Sequence, residues 1–161
     1  NKTWQVKSNY VVFYLFDATI GFTTLKQADK QMKLDTNLRT QHSTNQADFI
    51  PYNRYGTSIT GMSWLPLSGE LLNDVYECFM LRMEPGTITK AHEHMGHEEF
   101  LVLEGHLIDL DGAEYKTGDF VHFLPGSKHS SHSVDGCLLM VVLRGSNRAL
   151  PINEGIDAPP L

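Results

Sequence analysis

Seven of the eight histidines lie between His92 and His132. Even scatter over the 161 residues puts about two in such a window, and crowding of this kind goes with chemistry. The densest stretch reads Gly86-Thr-Ile-Thr-Lys-Ala-His92-Glu-His94-Met-Gly-His97-Glu98-Glu99-Phe-Leu-Val-Leu-Glu-Gly105. His92 and His94 are two apart, and on a strand residues i and i+2 face the same way. Their imidazoles, about 7 Å apart along a strand, can close on one ion where the strand curves. Glu98 shares their parity and follows the Met95-Gly96 bend, so its carboxylate can return to that face. A later stretch, Gly118-Asp-Phe-Val-His122-Phe-Leu-Pro125-Gly126-Ser-Lys-His129, turns at Pro125-Gly126 and sets His129 inward at the start of the next strand. Three imidazoles and one carboxylate suit one divalent transition metal per chain: Fe(II), Mn, Ni or Zn. They disfavour Ca and Mg, which prefer all-oxygen shells. On an octahedral ion, such a set leaves two positions for substrate, O2 or water. Glu98 either binds the metal directly or orients a residue that does.

The other polar candidates have weaker claims. Glu99 and His97 have the opposite parity and should point outward, to the surface or the rim of the site. His132 follows His129 by three, which also reverses parity. His106 and His122 are ordinary strand histidines that could line a pocket. Lys90, Arg82 and Tyr76 could reach a bound anion, with a surface place expected for Lys90, and Asp119 reads as a turn residue. No catalytic side chain stands out beyond the metal centre itself. Neither a Gly-x-Ser-x-Gly elbow nor a phosphate-binding glycine loop is present, so no organic cofactor is expected.

The elements that must position these residues are strands. From Ala47 onward, short apolar runs are cut by turn residues every eight to twelve positions. The expected strands are Thr57–Ser63, Val75–Met83, Thr87–His92, Glu99–Leu103, His106–Leu110, Ala113–Tyr115, Phe120–Leu124, Lys128–Ser133 and Cys137–Leu143. Asp111-Gly112 is a strong hairpin signal between two of them. Many short strands without a long helix indicate an all-β antiparallel sandwich or barrel.

Residues 1–46 differ. Tyr10–Phe16 is aromatic and β-branched, as a buried strand is, and Thr24–Arg39 carries a weak helical stripe. The expected organisation is an extension (1–46) with a strand, a short helix and dimer contacts, then a barrel (47–150), then an extended Pro-rich tail (151–161).

Composition sets bounds. With 13 basic and 19 acidic side chains the formal charge is -6, which argues against nucleic acid or an anionic membrane as partner. The longest apolar run, Tyr10–Phe16, falls far short of the roughly 20 residues of a membrane span. Cys78 and Cys137 lie in apolar runs and read as two buried small hydrophobes, with a single disulfide as the alternative. The expected compartment is the cytoplasm.

The two histidine segments resemble the paired motifs of the cupin superfamily. The first motif is Gly, five residues, His-x-His, three or four residues, Glu, six residues, Gly. Gly86, His92, His94, Glu98 and Gly105 match it at every interval. In the second, Gly118, Gly126 and His129 keep the family spacing, Pro125 is displaced by one, and Ser133 stands where Asn is usual. The run from His92 to Gly105, then Pro125-Gly-Ser-x-His129 and Asp135-Gly-Cys137, is similar to single-domain cupins grouped with the cupin half of ChrR-type anti-sigma factors. Trp64-Leu-Pro-Leu-x-Gly69 fits the same group.

The resemblance covers roughly residues 47–145. It implies a double-stranded β-helix, a jelly-roll barrel with the metal inside, and a homodimer. Related short cupins include Fe(II) dioxygenases that cleave C–C bonds in β-diketones or hydroxyacetophenones. The favoured expectation is therefore an Fe(II) dioxygenase acting on a small diketone or hydroxyketone. The first alternative is a non-catalytic Zn-binding sensor or regulatory module. It would lack the sigma-binding domain, because residues 1–46 hold only His42 and no cysteine. The second is a metal-dependent isomerase or lyase on a sugar or keto acid.

Overall fold

Alternating burial runs along the strands, and it sorts the chain into an inward and an outward face. The computed structural model describes residues 36–44, 48–70, 72 and 75–151. Short β1 (Ile50–Pro51) leads into β2 (Met62–Gly69) and β3 (Glu77–Met83). β4 (Thr87–Ile88) and β5 (His92–His94) precede the long β6 (His97–Asp109). β7 (Glu114–Lys116), β8 (Phe120–Phe123), β9 (Lys128–His129), β10 (Ser131–Ser133), β11 (Cys137–Arg144) and β12 (Asn147–Ala149) follow. Every pairing is antiparallel. One sheet runs β1-β2-β3-β11-β6-β10-β4, with β7 and β8 also on β6, and a second runs β12-β5-β9. This is the all-β jelly-roll architecture expected from the sequence.

Several strand boundaries moved, each for a local reason. The strand expected at Thr57–Ser63 starts only at Met62, because Gly56 and Gly61 sit at φ 87° and 79° and turn the chain. It then runs on to Gly69 through Pro66, where a register shift between Pro66 and Ser68 accommodates the missing donor. The strands expected at Glu99–Leu103 and His106–Leu110 are two halves of β6. Gly105, at φ 79°, lets the strand bend without ending, and a Cβ there would collide with the Gly136 carbonyl. Thr87–His92 divides into β4 and β5. Lys128–Ser133 breaks at Ser130, where the chain leaves one sheet (β9 on β5) for the other (β10 on β6). The Asp111-Gly112 hairpin forms, closed by Gly112 N–H donating to Asp109 O at 2.9 Å. β1 and β12 were not anticipated.

The strand at Tyr10–Phe16, most of the helix over Thr24–Arg39 and residues 152–161 lie outside the described residues. At the described end of that helix there is only a 3-10 turn, Thr36–Leu38. No helix among the described residues is long and apolar enough to cross a membrane.

The core gathers Trp64, Phe79, Met83, Phe100, Val102, Leu139 and Leu143 from the inward faces of β2, β3, β6 and β11. A charged pair is set into it. Arg54 donates to Glu77 at 3.2 Å and 2.5 Å, and its guanidinium lies 5.3 Å and 5.4 Å from the ring centres of Trp64 and Phe79. Cys78 and Cys137 are both free. Cys137 is buried as expected, while Cys78 is only partly buried. Cys78 pairs with Val142, about 17 Å along β11 from Cys137, so no disulfide joins them.

Candidate metal centre

Three strands of the small sheet and the start of β6 build the site. His92 and His94 face inward from β5, and His129 pairs directly with His92 across from β9. The chain bends at Gly96, where a Cβ would strike the Arg144 carbonyl, and this close passage returns Glu98 to the same side. One ligand atom from each of His92, His94, Glu98 and His129 lies within 4.8 Å of the others. These are the four residues expected from the sequence.

Hydrogen bonds on the far side of each ring set the tautomers. His92 Nδ1 donates to Lys90 O at 2.8 Å. Ser127 gives its own proton to Leu124 O at 2.6 Å, so its Oγ accepts from His94 Nδ1 at 3.1 Å. His129 Nδ1 donates to the Asp109 carboxylate at 3.0 Å. Each ring therefore turns an Nε2 lone pair inward. His92 Nε2 lies 3.1 Å from His94 Nε2 and 3.1 Å from His129 Nε2, and His94 Nε2 lies 3.5 Å from Glu98 Oε2. Lone pairs facing one another repel, and a cation between them turns repulsion into attraction. With metal–nitrogen bonds near 2.0–2.1 Å, adjacent ligands on an octahedral ion are about 3.0 Å apart, so the donor set fits one divalent transition metal.

Electrostatics support the same state. Burial, with the neighbouring His129, lowers the pKa of His92 to about 4, so its ring is neutral near pH 7. Burial also lowers that of His94. Burial opposes the charge on Glu98, but the three imidazoles and the Asn147 amide outweigh it and hold its pKa below the usual range. Burial likewise opposes the charge on Asp109, and hydrogen bonds from His129, Ser131 and Tyr115 overcome it.

Two supporting residues escaped the sequence reading. Asp109, at the end of β6, holds His129 and also accepts from Ser131 Oγ and, at 3.2 Å, Tyr115 Oη. Its signal was an acid at an inward position of an apolar strand. Asn147, opposite His94 on β12, donates from Nδ2 to Glu98 Oε2 at 3.0 Å. It lies outside both motifs and had no signal.

The remaining candidates stay outside the cluster. His97 and His122 stack with centroids 5.2 Å apart on the outer face, and Glu99 there accepts from Arg144. His106 lies 3.5 Å from Glu114, and His132 is half-buried on β10. Arg82 covers Phe49, and Tyr76 meets Ser68 at 3.2 Å. Asp119 closes the turn on Lys116 N–H, as expected. Lys90 is exposed, with its Nζ 5.6 Å from the ring centre of Tyr55 at the site's edge.

Behind the cluster is a cavity of about 40 Å³, lined by Tyr52, Tyr55, His92, Glu98, His129 and Asn147 and by apolar core side chains. Phe123 packs against the histidines, 5.1 Å from His94 and 4.4 Å from His129 between ring centres.

A jelly-roll barrel with an inward-facing cluster of three histidines and one glutamate defines a cupin. Residues 40–147 match the family described as the ChrR cupin-like domain, and the chain belongs to that family. Solved structures agree on the fold. An RmlC-like cupin protein from Ralstonia eutropha is 15% identical, with a TM-score of 0.61 over 78% of this chain and 82% of that one. An acetylacetone dioxygenase from Acinetobacter johnsonii is 15% identical, with a TM-score of 0.61 over 74% of this chain and 82% of that one. The anti-sigma ChrR of Rhodobacter sphaeroides, in complex with SigE, is 18% identical, with a TM-score of 0.50 over 63% of this chain and 50% of that one. Comparison with curated proteins finds no match.

Proposed function

We propose that this cupin is an enzyme of the Fe(II) dioxygenase type, with His92, His94, Glu98 and His129 as ligands of one metal ion, cleaving a C–C bond in a small diketone or hydroxyketone. The observation that carries this reading is the set of three inward Nε2 lone pairs and an ionised Glu98 at the wall of a mostly apolar cavity. Bound there, Fe(II) supplies Lewis acidity toward a chelating oxygen substrate and electrons for O2. The chain does the rest. Asp109, Ser127 and the Lys90 carbonyl hold each imidazole in the tautomer that leaves Nε2 free. Asn147 orients Glu98. The apolar core side chains of the cavity wall keep bulk water from the reacting side. A cavity of about 40 Å³ favours a ligand of few heavy atoms. The fold shared with an acetylacetone dioxygenase adds support by analogy.

The test is oxygen uptake by Fe(II)-loaded protein across a panel of small diketones and hydroxyketones. Uptake with one of them, lost in His94→Ala, supports the reading. No uptake across the panel from protein holding a full complement of Fe(II) overturns it.

Family membership favours a second reading, a Zn(II)-binding regulatory module. Zinc has no redox chemistry, so this reading predicts zinc in the native protein, no oxygen uptake, and a stable protein partner on pull-down from the native host.

The homodimer implied by the resemblance belongs to the proposal. An outward apolar row crosses the sheet through Phe120, Leu101 and Met140, with Phe120 67% exposed. Sedimentation of wild type against Phe120→Glu/Met140→Glu tests it, with a dimer expected only for wild type.

A further inference from the structure

Two polar atoms in the cavity wall have no partner in the fold. Tyr55 Oη and Asn147 Oδ1 are both buried, and neither makes a hydrogen bond. Both residues line the cavity that His92, Glu98 and His129 also line. Tyr52 packs edge-on against Tyr55, with centroids 6.4 Å apart. The orientation of Asn147 is fixed, because an ionised Glu98 can only accept and so must face Nδ2. That leaves Oδ1 uncommitted.

Two other polar lining groups are in use. Ser131 Oγ donates to Asp109, and Thr89 Oγ1 accepts from Ser131 N–H at 2.8 Å. Burial pushes the Tyr55 phenol well above its usual pKa, so it keeps its proton and serves as a donor. Native proteins rarely bury unpaired polar atoms, and two in one cavity mark places for a ligand's own polar groups. One is a donor and the other an acceptor. The rest of the lining, with Met62, Phe79, Leu81 and Phe100, is apolar.

We propose that Tyr55 and Asn147 select a small hydroxyketone, Tyr55 Oη donating to the carbonyl oxygen and Asn147 Oδ1 accepting from the hydroxyl. This rests on the small-ligand reading of the cavity above and narrows it. A 1,3-diketone closes its enol proton in an internal hydrogen bond and offers acceptors only. Sites built to bond a hydroxyl reject analogues that lack it, because the buried partner is left unpaired.

The experiment compares hydroxyacetone with butanone, which replaces the hydroxyl by a methyl. Binding is measured by calorimetry on the full chain, metal-free and Zn(II)-loaded, zinc being redox-silent so that the probe is not consumed. Hydroxyacetone is expected to bind roughly tenfold or more tightly than butanone. Tyr55→Phe is expected to weaken hydroxyacetone by about tenfold. The same variant keeps the wild-type zinc content and does not lower Tm, because the lost hydroxyl made no bond. Equal affinity for the two probes overturns the proposal. So does wild-type hydroxyacetone affinity in Tyr55→Phe, or the absence of hydroxyacetone binding in both metal-free and loaded protein. Failure of wild type to take up zinc counts against the metal reading alone, and the metal-free measurements then decide the roles of Tyr55 and Asn147.

Discussion

His129 Nδ1 lies 3.0 Å from one oxygen of Asp109 and 3.2 Å from the other. The carboxylate thereby fixes the ring's tautomer and aims its Nε2 at His92, and it raises the basicity of the inward nitrogen. Changing Asp109 to Asn keeps the shape but removes the charge. Metal affinity is expected to fall roughly 10–100-fold with little change in secondary structure. Competition with a chromophoric chelator measures this, and unchanged affinity contradicts the role.

Acid should destabilise the metal-free protein through His92. Its folded pKa is about 4, below the ordinary imidazole value of 6.5, so the fold favours the neutral ring. The stability from that preference is fully present above pH 6.5 and is lost as pH falls toward 4. Tm measured from pH 8 to 4 should drop mainly in that window, and less steeply in His92→Asn. A flat profile in wild type counts against a buried neutral His92. Protons compete with metal for the same nitrogens, so the loaded protein should release its ion over the same descent.

Gly96 has a sharper requirement than its place in a bend reveals. A Cβ there would collide with the Arg144 carbonyl, and β11 would have to shift, carrying Asn147 with it. Gly96→Ala is expected to cost about 1–3 kcal/mol and to lower metal content. Chemical denaturation checks the first and elemental analysis the second. Wild-type values in both would show that the passage is looser than the structure indicates.

The buried Arg54–Glu77 pair, with side chains 4% and 1% exposed, predicts a non-additive double mutant. Arg54→Met alone leaves an uncompensated buried carboxylate and should cost about 3–5 kcal/mol. Arg54→Met/Glu77→Leu should recover most of that loss. Additive losses in urea unfolding would argue that the two charges do not depend on each other.

Strand parity explains what was legible in the sequence. A period of two carries His92, His94 and Glu98 to one face and sends His97 and Glu99 to the other, whatever the exact strand ends. The Pro125-Gly126 turn then delivers His129 opposite His92. Strand limits were harder to read, because glycine reads the same whether it ends a strand or bends one. Gly61 marks where β2 begins, while Gly105 lets β6 continue into both halves of the barrel. Asn147 was invisible because its role comes from long-range pairing of β12 with β5, and its polar neighbours carry no pattern. Asp109 was hidden in a strand read by its apolar residues.

The central claim is a single metal ion held by His92, His94, Glu98 and His129. The most direct test is metal content after anaerobic reconstitution with Fe(II) and desalting, for wild type and each of the four alanine variants. The account predicts about one equivalent per chain in wild type and a large loss in every variant that still folds by circular dichroism. No bound metal in wild type, or full occupancy in the His92, His94 and His129 variants alike, contradicts it.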